Sequence, residues 1–436
     1  MNQPATQLEL LKIKKPFKNG SANKLDFSDK AFHDWYRFVL SFPPHLVRDY
    51  LKKFGLRSSD TILDPFCGTG TTIVEAKLNG IMGIGIEANP IAHLAASTKV
   101  NWELEPNNLI EHASKVSAST LEALSNLSSG TIISLTEEAF KILLKDSISP
   151  LPLHKSLVLL EQIRGLKDDE NIYHCELIAL AKTLVFSSSN LYFGPEVGVR
   201  KSKKTDVQVI ENWLNEVSNI ANDLRNKPKN APQSFIYRAD SREASQILNS
   251  SSIDAVFTSP PYPNEKDYTR TTRLESVVLG FINNKTELQA LKKKLLRSNT
   301  RNVYKEDKDD DWVAEHSEIQ SIAQAIETRR IELGKTSGFE KLYGKVTKLY
   351  FGGMARHLAD LRSLLKPGAY LGYVVGDQAS YLQVMIRTGQ LIASIAQSLG
   401  YEVVSIDLFR TRLSTVTKMQ IREEVVVLRW PGNVKV

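Results

Sequence analysis

The sequence predicts an α/β protein, with strand–loop–helix units around a mostly parallel sheet and two helical insertions that open the pattern. Three observations carry that prediction. Thr61-Ile-Leu-Asp-Pro-Phe-Cys-Gly-Thr-Gly-Thr-Thr72 runs from β-branched and apolar residues through an acid and a glycine turn into helix formers that continue to Gly80. Ile253-Asp-Ala-Val-Phe-Thr258 is a second apolar run. It meets Pro260 and Pro261, which cannot donate to a ladder and must end the strand. Strand-like and helix-like stretches alternate up to about residue 101 and again from about 231, whereas the segment between them is rich in helix formers.

Composition narrows the classes. A chain of 436 residues suits two or three domains, or one domain with large insertions. Hydrophobic content of 42% and charged content of 24% are ordinary for a soluble globular protein with a sizeable core. A net charge of +7 and a pI near 9.0 suit a polyanionic partner. With only Cys67 and Cys175, a disulfide framework or a zinc site is not expected, and no metal is assigned; a reducing, cytoplasmic location is. Apolar runs fall short of the roughly 20 residues that cross a bilayer, and the polar N-terminus has no signal-peptide core.

In chain order, residues 1–25 read as a lysine-bearing arm (Lys12, Lys14, Lys15, Lys18), either solvated or gripping DNA. Phe32, Trp35, Tyr36, Phe38 and Val39 fall at roughly helical spacing, and Phe42-Pro-Pro-His-Leu-Val47 precedes a helix to Phe54. Gly68 and Gly70 permit backbone angles that a side chain forbids and a close approach of ligand to main chain. Gly80 is a plausible helix stop. Met82-Gly-Ile-Gly-Ile-Glu87 is a buried strand ending in an acid, about 20 residues past the glycine loop, where ribose hydroxyls would donate to Glu87.

Residues 102–230 read as a helical insertion, with helices expected over Ile110–Leu127, Thr136–Lys145, Tyr173–Ser188 and Val207–Arg225. Within it Asn190-Leu-Tyr-Phe-Gly-Pro-Glu-Val-Gly-Val-Arg-Lys-Ser-Lys-Lys204 mixes aromatics, glycines and the cations Arg200, Lys201, Lys203 and Lys204. That mixture suits either nucleic-acid contact or a flexible surface loop. Ser234-Phe-Ile-Tyr-Arg-Ala-Asp240 resumes the α/β pattern with a third strand ending in an acid, and Asp240 or Ser241 can also cap the next helix.

Ile253–Thr258 then delivers Thr258-Ser-Pro-Pro-Tyr262. The two prolines stiffen the chain and hold the Pro260 carbonyl outward, with the Ser259 hydroxyl before them and the flat Tyr262 ring after Pro261. Together they suit the grip of a planar base bearing an exocyclic amine. Two acceptors on that amine favour its pyramidal, nucleophilic form. A base held there must have left its duplex, and stacking on Tyr262 offsets part of the unstacking cost.

Asp64-Pro-Phe66-Cys67-Gly68-Thr69-Gly70 and Thr258-Ser-Pro-Pro-Tyr262 resemble motifs I and IV of the amino-group DNA methyltransferases. The resemblance implies a Rossmann-like class I fold whose seven-stranded sheet ends in an antiparallel strand. It implies S-adenosylmethionine (SAM) held by Asp64, Pro65, Phe66, Gly68, Gly70 and Thr71, with the adenine amine on Asp240 and a Phe-Pro segment at Pro44 closing over the methionine end. Ser in the second motif is typical of N4-cytosine enzymes; Asp or Asn there is commoner in N6-adenine enzymes. Asp267, Tyr268 and Arg270 follow as in one subgroup of the family, to shape the target pocket or bind phosphate, or else to form a salt-bridge cluster at a helix start. The motif order, I before IV, differs from that of many circularly permuted N4-cytosine enzymes, which leaves N6-adenine open. C5-cytosine chemistry is disfavoured, because it needs a cysteine nucleophile in this loop.

Residues 276–340 form a charged helical insertion whose basic block, including Lys292 and Arg297, is either a solvated face or a track for DNA phosphates. Residues 26–101, 231–275 and 341–436 make up the catalytic domain, closing with an amphipathic helix over Tyr343–Leu365, strands over Ala369–Asp377, Glu402–Phe409 and Glu423–Arg429, and a helix over Met385–Leu399. The resemblance implies double-stranded DNA as substrate and a restriction–modification setting with a cognate endonuclease. Methylation of tRNA guanine and a non-catalytic DNA-binding subunit are the alternatives.

Overall fold

The computed structural model describes residues 25–38, 41–128, 130–194, 196–264, 266–413 and 420–432. The four lysines of the arm, Val39 and residues 414–418 of the last connection lie outside them. The strands are β1 Thr61–Asp64, β2 Met82–Ile86, β3 Leu191–Phe193, β4 Val197–Val199, β5 Ser234–Tyr237, β6 Ile253–Thr258, β7 Leu365–Gly376, β8 Glu402–Leu413 and β9 Gln420–Arg429. Seven of them form one sheet in the order β5-β2-β1-β6-β7-β9-β8, while β3 and β4 pair as a separate hairpin. The first five strands in that order run parallel, and β9 is antiparallel to both β7 and β8. This is the Rossmann-like class I arrangement.

The pattern follows from the residues. All four positions of β1 are buried, as expected for a central parallel strand covered on both faces. Its alternate side chains enter different cores: Ile62 joins Val47, Phe257 and Val374, while Leu63 joins Val256, Tyr350 and Leu371. Helices α1 Pro44–Lys53, α2 Thr71–Leu78 and α3 Pro90–Val100 follow the chain up to the first insertion.

That insertion is helical: α4 Pro106–Asn126, α5 Glu137–Lys141, α6 Pro150–Gly165, α7 Glu170–Lys182 and α8 Val209–Arg225. It does not stand apart, since Leu109, Leu177 and Trp213 share one hydrophobic cluster with Ile73 of α2 and Ile91 of α3. Helix α6 was not expected from the sequence; its prolines 150 and 152 sit in the first turn, where no intrahelical N–H bond is forfeited. The stretch 190–204, read as a loop, contains the β3–β4 hairpin.

The aromatic run near residue 32 is not a helix either. It forms short 3₁₀ turns at Phe27–Asp29 and His33–Trp35, with Phe32 at φ 60°. Asp223 from α8 fixes it, accepting from the Phe32 amide at 2.9 Å and the Trp35 indole at 2.8 Å. Helices α9 Tyr268–Thr271 and α10 Arg273–Val278 lead into the second insertion with α11 Lys285–Lys293 and α12 Ser317–Glu332; α13 Tyr343–Leu361 and α14 Thr388–Ser398 are the last helices among the described residues. Strand β7 begins four residues earlier than expected, at Leu365, and takes up the Pro367-Gly368 turn as a register shift against β6. Among the described residues no helix is long and apolar enough to cross a membrane.

Candidate active site

Strands β1 and β6 are neighbours, so the loops leaving their carboxyl ends emerge side by side. Both line one cavity of about 290 Å³: Pro65, Phe66, Gly68 and Thr71 from the first loop, Ser259, Pro260, Pro261 and Tyr262 from the second. That volume lies at the lower edge of the range of about 300–1,000 Å³ for small-molecule sites.

The first loop needs its glycines. Gly68 and Gly70 have φ of 53° and 87°, and a Cβ on Gly70 would stand 3.2 Å from the backbone of Ala96 in α3. The buried Lys99 ammonium donates to the Thr69 carbonyl at 3.1 Å and holds the loop from below. Asp64 is also behind the wall rather than in it. Its Oδ1 accepts from the Phe66 amide at 3.1 Å and from the Thr258 hydroxyl at 2.6 Å, so one carboxyl ties the two loops together. Burial pushes that carboxyl up to about 6, against the pull of the Thr258 hydrogen bond.

Glu87, just past β2, does line the cavity. Its carboxylate accepts from the Gly68 amide at 2.8 Å and the Asn89 amide at 2.7 Å, while burial pushes it up to about 7. The buried Thr69 hydroxyl, on the same wall, has no hydrogen-bond partner among the described residues. A glycine-opened backbone, an acid at ribose distance along the chain, an unpaired hydroxyl and the apolar faces of Phe38, Phe42 and Phe66 fit a nucleoside sulfonium cofactor.

Neither Asp64 nor Gly70 lines the cavity, and two further expected contacts fall elsewhere. Asp240 accepts from the Arg242 backbone amide at 2.9 Å and pairs with the Arg242 guanidinium, which also binds Asp309 of the second insertion. Its neighbours Ala239 and Ser241 face the cavity instead, because a carboxylate beside a buried guanidinium stays with it. Pro44 is buried at the start of α1, and Phe38, Ser41 and Phe42 supply that wall.

In the second loop the Ser259 hydroxyl donates to the Val374 carbonyl of β7 at 3.1 Å. With its proton so engaged, the oxygen keeps its lone pairs for accepting. The Tyr262 amide donates to the Tyr268 hydroxyl at 3.3 Å, and the Tyr262 ring lies so close to Gly376 that a Cβ there would be 3.0 Å away. Burial holds the Tyr262 phenol above its ordinary value, so it stays neutral.

The cation-bearing candidates divide sharply. Lys292 and Arg297 turn inward and are no phosphate track: Lys292 pairs with Asp267 at 2.7 Å, and Arg297 pairs with Asp307 at 2.7 Å while donating to the carbonyls of Lys292 and Lys293. Asp267 caps α9, accepting from the Thr269 amide at 3.0 Å. Buried guanidinium and ammonium groups need such partners. Tyr268 lines the cavity. Half-buried Arg270 lies 3.7 Å from Glu196 beside the hairpin. Lys204 is pinned to the Ser187 carbonyl at 2.6 Å, whereas Arg200, Lys201 and Lys203 are exposed just after β4.

Sequence reasoning missed two parts of the wall. Lys294, Leu295, Leu296, Ser298 and Asn302 bring the second insertion to the cavity, and Arg410 and Glu423 bring β8 and β9. The only trace of the former is the change from charges to the uncharged Ser298-Asn-Thr300, buried in the structure.

A mostly parallel sheet with a glycine loop and a Ser-Pro-Pro-Tyr loop around one cavity defines a class I methyltransferase, whose methyl donor is SAM. The N6/N4 methyltransferase family model, described as "DNA methylase", matches residues 12–97. The chain is similar to the Type II methyltransferase M.BsoBI of Geobacillus stearothermophilus, 27% identical over 98% of this chain and 92% of that protein. It is also similar to the Type II methyltransferase M.AvaI of a Nostoc species, 23% identical over 92% of this chain and 87% of that protein. A shorter match, 43% identical over 11% of this chain and 14% of the other, is to a tRNA (guanine(10)-N2)-dimethyltransferase of Methanothermobacter thermautotrophicus. The family model and the two Type II relatives support an amino-group DNA methyltransferase family for this chain.

Proposed function

We propose that this protein methylates N4 of cytosine at a specific double-stranded DNA sequence, as the modifying half of a restriction–modification pair. The observation that carries this reading is the shared cavity: Gly68 and Pro260 line the same space, so donor and acceptor sites adjoin. Bound SAM supplies an electrophilic methyl group on sulfur. Glu87 would accept from its ribose hydroxyls, and the loop at Gly68 would lie against it. The Ser259 oxygen and the Pro260 carbonyl accept from the target amine and aim its lone pair, where positive charge develops on transfer. Tyr262 stacks on the flipped ring. No strong base is needed, because the amine becomes acidic once methylated and its proton passes to water.

The serine at position 259 favours cytosine N4 over adenine N6. The exposed Arg200, Lys201 and Lys203, with Tyr192 on the hairpin, supply cations and an aromatic ring suited to a duplex contact. The Type II names of the relatives support the restriction–modification setting. The test is transfer of labelled methyl from SAM by purified protein, with nucleosides resolved by mass spectrometry. Unmethylated bacteriophage DNA is expected to gain N4-methylcytosine and bulk tRNA to gain nothing; label in tRNA alone would refute the reading.

A further inference from the structure

We propose that Arg410 reads the target base, donating to both ring acceptors of a cytosine and so selecting it over adenine. This deepens the methyl-transfer reading and rests on it. Arg410 of β8 and Glu423 of β9 are cross-strand partners. The guanidinium donates from Nε and Nη2 to the two carboxylate oxygens at 2.6 and 2.9 Å. Both residues line the cavity beside Ser259 and Tyr262. Gly376 locates them: a Cβ on it would lie 3.0 Å from the Tyr262 ring and 3.3 Å from the Glu423 side chain.

Regular strand alternation would send Phe409 and Arg410 to opposite faces. Both face the cavity, because the β8–β9 register shifts between Leu408 and Arg410. Such irregularities re-aim side chains next to active sites. The pair with Glu423 fixes the plane of the guanidinium and balances its charge. A guanidinium has five donors in a planar fork, and the carboxylate uses two.

Base chemistry supplies the discrimination. With the amine held by Ser259 and Pro260, the adjoining edge of cytosine presents N3 and then O2, both acceptors. The same edge of adenine presents N1 and then a carbon-bound hydrogen. Adenine therefore leaves one charged donor unpaired in a partly desolvated site, a loss of about tenfold or more.

The test compares wild type with Arg410→Gln and Arg410→Lys. S-adenosylhomocysteine affinity is read by calorimetry. Methyl transfer is then measured on duplexes carrying either cytosine or adenine at the target position, once that position is mapped on bacteriophage DNA. Arg410→Gln is expected to bind S-adenosylhomocysteine within about twofold of wild type while its preference for cytosine over adenine narrows about tenfold or more; Arg410→Lys is expected to fall between. An N6-methyladenine product from wild type, unchanged base preference in Arg410→Gln, or collapse of S-adenosylhomocysteine binding in both variants would each overturn the assignment. A wild type that transfers no methyl group at all would instead refute the enzyme reading itself.

Discussion

Glu87 carries a pH signature in the cofactor wall that falls near neutrality. Its carboxyl is raised from an ordinary 4.5 to about 7, chiefly by burial. The folded protein therefore holds a proton that the unfolded chain has released, and stability without cofactor falls as pH rises through that interval. Under the proposed ribose contact, cofactor binding is expected to have the opposite slope, because ribose hydroxyls would donate to the ionised form: S-adenosylhomocysteine affinity is expected to rise from pH 6 to pH 8. Glu87→Gln is expected to flatten both trends, with melting curves and calorimetry as the checks. An unchanged slope in the variant would assign the effect to another group. Glu87 was legible in the sequence, because its spacing from the glycine loop is set by one helix and one strand. Asp240 was not, because its partner Arg242 is itself held by Asp309 from a distant insertion, a contact no local pattern encodes.

The elements that matter most are the two adjacent strand ends and the hydrogen bond joining them. Thr258→Val removes the 2.6 Å bond to Asp64 while keeping the shape of the side chain. A buried bond to a charged acceptor is worth about 2 kcal/mol, so a fall in stability of that order is expected in denaturant titration, together with weaker SAM binding. Gly376→Ala acts on the other loop. The new Cβ meets the Tyr262 ring at 3.0 Å, so methyl transfer is expected to fall at least about tenfold with S-adenosylhomocysteine affinity nearly unchanged. Loss of both together would mean that the two loops do not act separately. Strands were readable from their apolar runs and glycine turns, and β6 spans the expected Ile253–Thr258. The aromatic turn at Phe32 was misread and helix α6 was missed, because tertiary hydrogen bonds to Asp223 shaped the first and first-turn prolines disguised the second.

Across the whole molecule, the insertions are structural partners of the catalytic sheet. The helices of residues 102–230 share a core with α2 and α3, and residues 294–302 of the second insertion reach the cavity. A single calorimetric unfolding transition is therefore expected, since neither core face survives without the other; two well-separated transitions would contradict this. None of that joining was visible in the sequence, where the insertions showed only helical composition and charge. Across the whole fold, methyl transfer requires the methyl donor and the acceptor amine to meet in one cleft. Its most direct test is the base composition of DNA from cells expressing the wild-type chain or Tyr262→Ala. The expected result is N4-methylcytosine at one short motif with wild type and its disappearance with the variant. DNA carrying no methylated amine in wild-type cells, or the same modification in both, would contradict it.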